Sequence, residues 1–226
     1  QGYEKTVCGF FSWTQKPNWM IKAICSSRQG TRTPTVSTAN SSDNKLGIVI
    51  DVYKGGKDVF LVALDALGNY RWGRSWGGKG VEQPSKLVVN SMNEIFCLGQ
   101  FFDSLDFNPG IGINIGKSGL GVDAFISKFD GTGNFLAFQQ YGGIGDVEIR
   151  GAAISSKDKI LSTGIFKRAL DIDPTKRIDF QQNNGAEDIF VQQLKPFETM
   201  VNIWSPVSVW CQGLQPHSQN RPLNPA

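Results

Sequence analysis

The chain has 226 residues, of which 40% are hydrophobic, 11% aromatic and 19% charged, and its net charge is +3. That is enough for one large domain or two small ones with a sizeable core. No run of lysine or arginine exists, so neither nucleic acid nor an anionic membrane is an expected partner. No apolar stretch, "VFLVALDAL" included, is long enough for a membrane span.

No two of the four cysteines, Cys8, Cys25, Cys97 and Cys211, are spaced as in a metal motif. A single histidine, His217, in the Pro-rich tail argues against histidine-based catalysis and the common zinc sites. An opening at Gln1 without Met reads as a processed or truncated product, and no signal-peptide pattern is visible in these residues.

In chain order, the first β-rich run is "TVCGFF" (6–11). The polar stretch "SSRQGTRTPTVSTANSSDN" (26–44) reads as an exposed loop. From Asp58 to Gly78 stands "DVFLVALDALGNYRWGRSWGG", two strands about a Gly-Asn turn. "PSKLVVNSMNEIFCLGQF" (84–101) gives two more strands about the hairpin signal "SMN", and "DSLDFNPG" (103–110) follows. The pattern then recurs at an interval of 65 residues. "DAFISKFDGTGNFLAFQQYGG" runs from Asp123, "IRGAAISSKDKILSTGIF" covers 149–166, "RALDIDPT" covers 168–175, and "DIFVQQLK" starts at Asp188.

Gly99 and Gly164 share one position in the repeat, and Gly9 is the first copy of it, with Phe11 matching Phe101 and Phe166. On that alignment the first copy lacks its first strand and carries 25 extra residues within 12–57. Each unit reads as a four-stranded antiparallel meander. Val59 and Leu61 against Phe60 and Val62 make both faces of its third strand apolar, so each sheet is expected between two neighbours. Four-stranded sheets repeated in this way predict an all-β chain of about three β-propeller blades, part of a larger or oligomeric propeller. The predicted boundaries are 1–80, 81–145 and 146–206, with a tail at 207–226. In the third unit "KPFETM" and "WSPVS" replace the regular turn and end.

These residues resemble the SBBP-type β-propeller repeat of large secreted and surface proteins of bacteria. The resemblance rests on "DVFLVALDALGNYRWGRSWGGKG", "DAFISKFDGTGNFLAFQQYGGIG" and "IGDVEIRGAAISSKDKILSTGIFKRALDIDP", with "LDFNPG" one letter from the family's last element. It covers most of 58–195 and a fragment at 5–11. It implies an antiparallel propeller and an exported location, and no particular activity.

Chemistry-bearing candidates are few. Asp106 with Asn108, and Asp171 with Asp173, place oxygen side chains two apart, as many calcium loops begin; turn capping before Pro109 and Pro174 is the simpler reading. "GGKG" (77–80) and "GGIG" (142–145) lack the Lys-Ser/Thr of a phosphate cradle and read as links between units. Trp72, Trp76, Phe135, Phe138 and Tyr141 are either inter-sheet packing or sugar platforms. Asp58, Asp65, Asp123, Asp130 and Asp188 follow the repeat, which favours structure over catalysis. Geometry is free for a disulfide between Cys25 and Cys211, unlike Cys8 with Cys97 on packed sheets.

The insertion, the Asp-Pro loops and the Gly-Gly links are expected at one end of the units, and the hairpin turns at the other. Trp19, Met20 and Ile21 in the insertion offer an apolar patch for a protein partner or a neighbouring blade. The function expected is a non-enzymatic extracellular module, structural or protein-binding. A carbohydrate-binding propeller and a fragment of a propeller hydrolase or lyase are the rivals. No cofactor is expected, calcium being the sole candidate.

Overall fold

The computed structural model describes residues 57–65, 70–171 and 180–194, together with the strand backbones 14–16, 19–27, 35–36 and 48–49. Among the described residues every regular element is a β-strand, so the all-β expectation holds. The strands fall into three antiparallel sheets in chain order. Sheet one holds β1 (Thr14–Lys16), β2 (Trp19–Ser27), β5 (Lys57–Asp65) and β6 (Tyr70–Trp76), paired in that order. Sheet two holds β7 (Val81–Val89), β8 (Ile95–Phe102), β11 (Asp123–Phe129) and β12 (Phe135–Tyr141). Sheet three holds β13 (Val147–Ile154), β14 (Ile160–Phe166) and β17 (Asp188–Leu194). One parallel pair, Lys57 with Val81, joins β7 to the start of β5, an inner strand of sheet one, so sheets one and two are continuous as eight strands.

A short antiparallel ladder sits between the second and third strands of each sheet. These are β3 (Thr35–Val36) with β4 (Ile48–Val49), β9 (Ser104–Asp106) with β10 (Ile115–Lys117), and β15 (Ala169–Asp171) with β16 (Phe180–Gln182). Part of the stretch read as a polar loop is therefore strand.

The irregularities repeat as faithfully as the strands. Bulges fall between Pro84 and Lys86 in β7 and between Ile149 and Gly151 in β13, one period apart. Positive φ recurs at Asn93 and Asp158, and again at Asp103 and Arg168. Such left-handed residues close tight turns, so the copies share backbone geometry as well as letters.

The second-strand slot of sheet one departs from the reading. Phe125 pairs with Gly99 and Phe190 with Gly164, while Phe60 pairs with Ile24. Ile24, and not Gly9, takes the glycine slot; Gly9 lies outside the described residues. The reason is length. "WMIKAICSS" supplies nine uninterrupted partners for the nine residues of β5, which "TVCGFF" does not. The first strand expected to be missing is present as the short β1. Trp19, Met20 and Ile21, expected in an inserted surface loop, are strand residues paired with Asp65, Leu64 and Ala63.

Packing follows strand parity. Val59, Leu61 and Ala63 of sheet one meet Leu87, Val89, Cys97, Phe125 and Phe129 of sheet two in one core cluster. The opposite face of sheet two, Val88, Phe96, Leu98, Ala124 and Ile126, meets Val147, Ile149, Ile160, Phe166 and Phe190 of sheet three in a second. Sheet two is thus buried on both faces, as its unalternating strands require. One sense is kept throughout: the face holding Val59 or Ala124 receives the next sheet's phenylalanine face, Phe125 or Phe190. Strand β13 runs against β7 and β8, so the first strands lie on the same side of the stack.

Candidate functional site

The loops sort to two ends of the sheets. The link at Gly77–Gly80 lies against Phe102 and Ser104, and the link at Gly142–Gly145 against Lys167 and Ala169. Ile144 N–H donates to Ala169 O at 3.2 Å, and Asp171 N–H to Gly142 O at 2.8 Å. This end therefore gathers the links and the β9–β10 and β15–β16 ladders. At the other end the hairpin turns meet: Gly131 lies beside Asn93, and Ser91 N–H donates to Asp158 Oδ1 at 2.9 Å.

The recurrent aspartates have structural work at the link end. Asp123 Oδ2 accepts Gly119 N–H at 3.2 Å, and Asp188 Oδ2 accepts Asn184 N–H at 3.0 Å, each four residues back. A Cβ on Gly77 would stand 1.9 Å from Asp58 Oδ1, and one on Gly142 2.0 Å from Asp123 Oδ1. The Gly-Gly pair is therefore where it is because the carboxyl group fills the space of a side chain. Burial pushes Asp123 up to about 6, against the hydrogen bonds from Gly119 and Gly143. Asp130 closes the β11–β12 turn by accepting Thr132 and Asn134 N–H at 2.8 and 2.9 Å. Burial opposes its ionisation, and these bonds outweigh it, holding Asp130 below its ordinary value.

Two of the calcium candidates, Asp106 and Asn108, bond the backbone of their own turn. Asp106 Oδ1 accepts Asn108 and Asn114 N–H at 3.0 and 2.9 Å, and Asn108 Oδ1 accepts Gly110 N–H at 2.8 Å. Asp171 ends β15, and Asp173 lies outside the described residues. Among the described residues no three His, Cys, Asp or Glu side chains converge as a metal would need. Cys25 is in β2 opposite Val59, and Cys211 lies outside the described residues. Cys97 is a free thiol inside the first cluster, pushed up to about 12 by burial.

The aromatics expected either to pack or to bind sugar are packed. Trp72, Trp76 and Tyr141 are buried, and Phe135 and Phe138 lean on the first cluster. Trp72 Nε1–H donates to Gly131 O at 3.2 Å and its ring covers Gly133, tying sheet one to a turn of sheet two.

Three features escaped the sequence reading. Glu82 is fully buried between sheets one and two, its Oε2 accepting Gly78 N–H at 3.1 Å. Burial raises it to about 7, and the nearby Asp58 and Asp103 carboxylates add to the rise. Its slot holds Val147 in the next copy, and that break in the repeat was the available signal. The second feature is the β9–β10 hairpin, whose isoleucines point outward: Ile111, Ile113 and Ile115 are all exposed. Its uncharged "GIGINIG" was the signal. The third is the outer face of sheet three, where Ile189 and Val191 are exposed in the slots that Ala124 and Ile126 bury in sheet two.

No protein-family model matches this sequence, and no curated protein is significantly similar to it.

Proposed function

We propose that the chain is part of a non-enzymatic β-propeller of secreted or cell-surface type, in which the repeated sheets are blades and the module has a structural or protein-binding role. The observation that carries this reading is the constant sense of packing, in which each sheet's Val59-type face takes the next sheet's Phe125-type face. A ring of sheets gives every such face a neighbour. The first strands β7 and β13 lying together supports an axis on that side. The SBBP-type resemblance gains support from its recurrent letters, since Asp, Gly-Gly and Phe each do the same structural work in successive copies. The same fact speaks against a hydrolase or lyase reading of those carboxylates.

The partner that this reading requires is a further blade, or a protein with a comparable face, set against Ile189 and Val191 of sheet three. Light scattering of the native particle tests it, with Val191→Lys as the variant. The expected result is a mass above that of one chain, which falls in the variant. A monodisperse single chain in which a Val191→Cys thiol reacts freely overturns the reading. Glycan binding on an array, lost on no change to the sheet-three face, puts the carbohydrate-binding alternative in its place.

A further inference from the structure

The hairpin Ser104–Lys117 carries a surface that the blade reading does not use and on which it does not depend. Its base is firmly held. Leu105 and Phe107 are buried, and the Phe107 ring stacks on Phe138 with centroids 4.3 Å apart. The Gln140 carboxamide clamps the main chain of Lys117, its Oε1 accepting the N–H at 3.2 Å and its Nε2 donating to the carbonyl at 2.8 Å. A Cβ on Gly116 would lie 2.7 Å from Gln140 Oε1 of β12, so the hairpin lies close against the sheet there.

From this base projects an apolar tip. Ile111 is 105% exposed, Ile113 76% and Ile115 59%, and residues 107–116 carry no charge. Ile111 lies in the bend at the head of the hairpin, and Ile113 and Ile115 follow it on the return arm. The tip also satisfies much of its own backbone. The N–H groups of Asn108, Gly110 and Asn114 are accepted by Asp106 and Asn108 side chains, and Phe107 N–H donates to Asn114 O at 2.9 Å. Polar backbone groups without partners are what keep a loop out of hydrocarbon. At the base stand two exposed lysines. Lys117 pairs in register with Ser104, and Lys79 lies on the turn packed against Ser104, with Asp103 and Asp106 as the nearby opposite charges. The sister ladder β15–β16 has Phe180 in the slot of Ile115 and a charged sequence between its strands, so the tip is particular to sheet two.

We infer that this hairpin is a lipid-surface anchor, its isoleucine tip entering the headgroup boundary of a bilayer while Lys117 and Lys79 meet anionic headgroups. A protruding apolar tip with an internally bonded turn and cations at its base has the chemistry of an interfacial anchor and none of a span.

The test is co-sedimentation of the full chain with large unilamellar vesicles of phosphatidylcholine, with and without a quarter of phosphatidylglycerol. The unmodified chain is expected to bind the mixed vesicles. Ile111→Ser with Ile113→Ser should lower partitioning at least about tenfold. Lys117→Gln should lower it about fivefold on the mixed vesicles and leave the neutral ones unaffected. Ile189→Ser with Val191→Ser, at the other exposed apolar surface, should bind as the unmodified chain does. Each variant is accepted on an unchanged thermal melt, with Ile115→Ser replacing any that fails. No vesicle binding, binding that survives the hairpin changes, or an equal loss in the sheet-three variant each overturn the inference; capture of a protein by the tip without vesicle binding assigns it to a protein partner instead.

Discussion

Replacing Glu82 with Gln isolates the cost of one buried carboxylate. In the folded chain Glu82 is shifted from 4.5 to about 7, chiefly by burial and further by Asp58 and Asp103. Its folded value lies above its unfolded one, so between the two the folded state holds the extra proton. Stability from this group is full below about pH 4.5, falls as pH rises toward 7, and stays low above it. A shift of that size corresponds to about 3 kcal/mol. Gln keeps an oxygen for Gly78 N–H and carries no charge, so Glu82→Gln should match the unmodified chain near pH 4.5 and exceed it by up to about 3 kcal/mol at pH 8.5. In a chain of this length that is about 6–12 °C in melting temperature. Asp123, raised to about 6, bends both curves alike and cancels in the difference. Thermal melts of both chains from pH 4.5 to 8.5 decide the matter. A difference between the two chains that does not change with pH refutes the assignment of a buried, proton-holding carboxyl.

Other expectations follow from the packing. Gly99→Ala should cost at least about 3 kcal/mol in chemical denaturation, because the new Cβ meets Gln83 O at 2.4 Å and the Phe125 ring at 2.8 Å; Gly185→Ala, with nothing within 4 Å, should cost little. Trp72→Ala should cost about 3 kcal/mol through the lost ring on Gly133 and the lost bond to Gly131, read as a lower denaturant midpoint. Asp106→Ala should cost about 1–2 kcal/mol in melting experiments, equally in calcium and in chelator, because the carboxylate serves Asn108 and Asn114.

The fold was legible where the sequence repeats. The strands of sheet two, their double-sided burial and the gathering of links at one end follow from apolar runs without alternation and from Gly-Asn turns. The recurrent aspartates were legible as structure because Asp123 and Asp188 occupy one slot. Sheet one was misread at Gly9, since a short motif match says less about pairing than the length a strand must fill. Glu82 escaped because a single glutamate in a strand reads as a solvent-facing residue until its neighbours are known. The isoleucine tip escaped because "LDFNPG" draws attention to its oxygens, whereas its informative letters come just after.

The burial of sheet two on both faces gives the molecule a gradient of opening. In stacked repeats each unit is held only by its neighbours, so the terminal units open first. Amide protons of Phe96, Leu98 and Ile126 should exchange with solvent only when the whole stack comes apart, whereas in a single chain, without a neighbour on sheet three, those around Ile189 and Val191 exchange through local opening of β17. A limited protease should accordingly leave the central sheet to last.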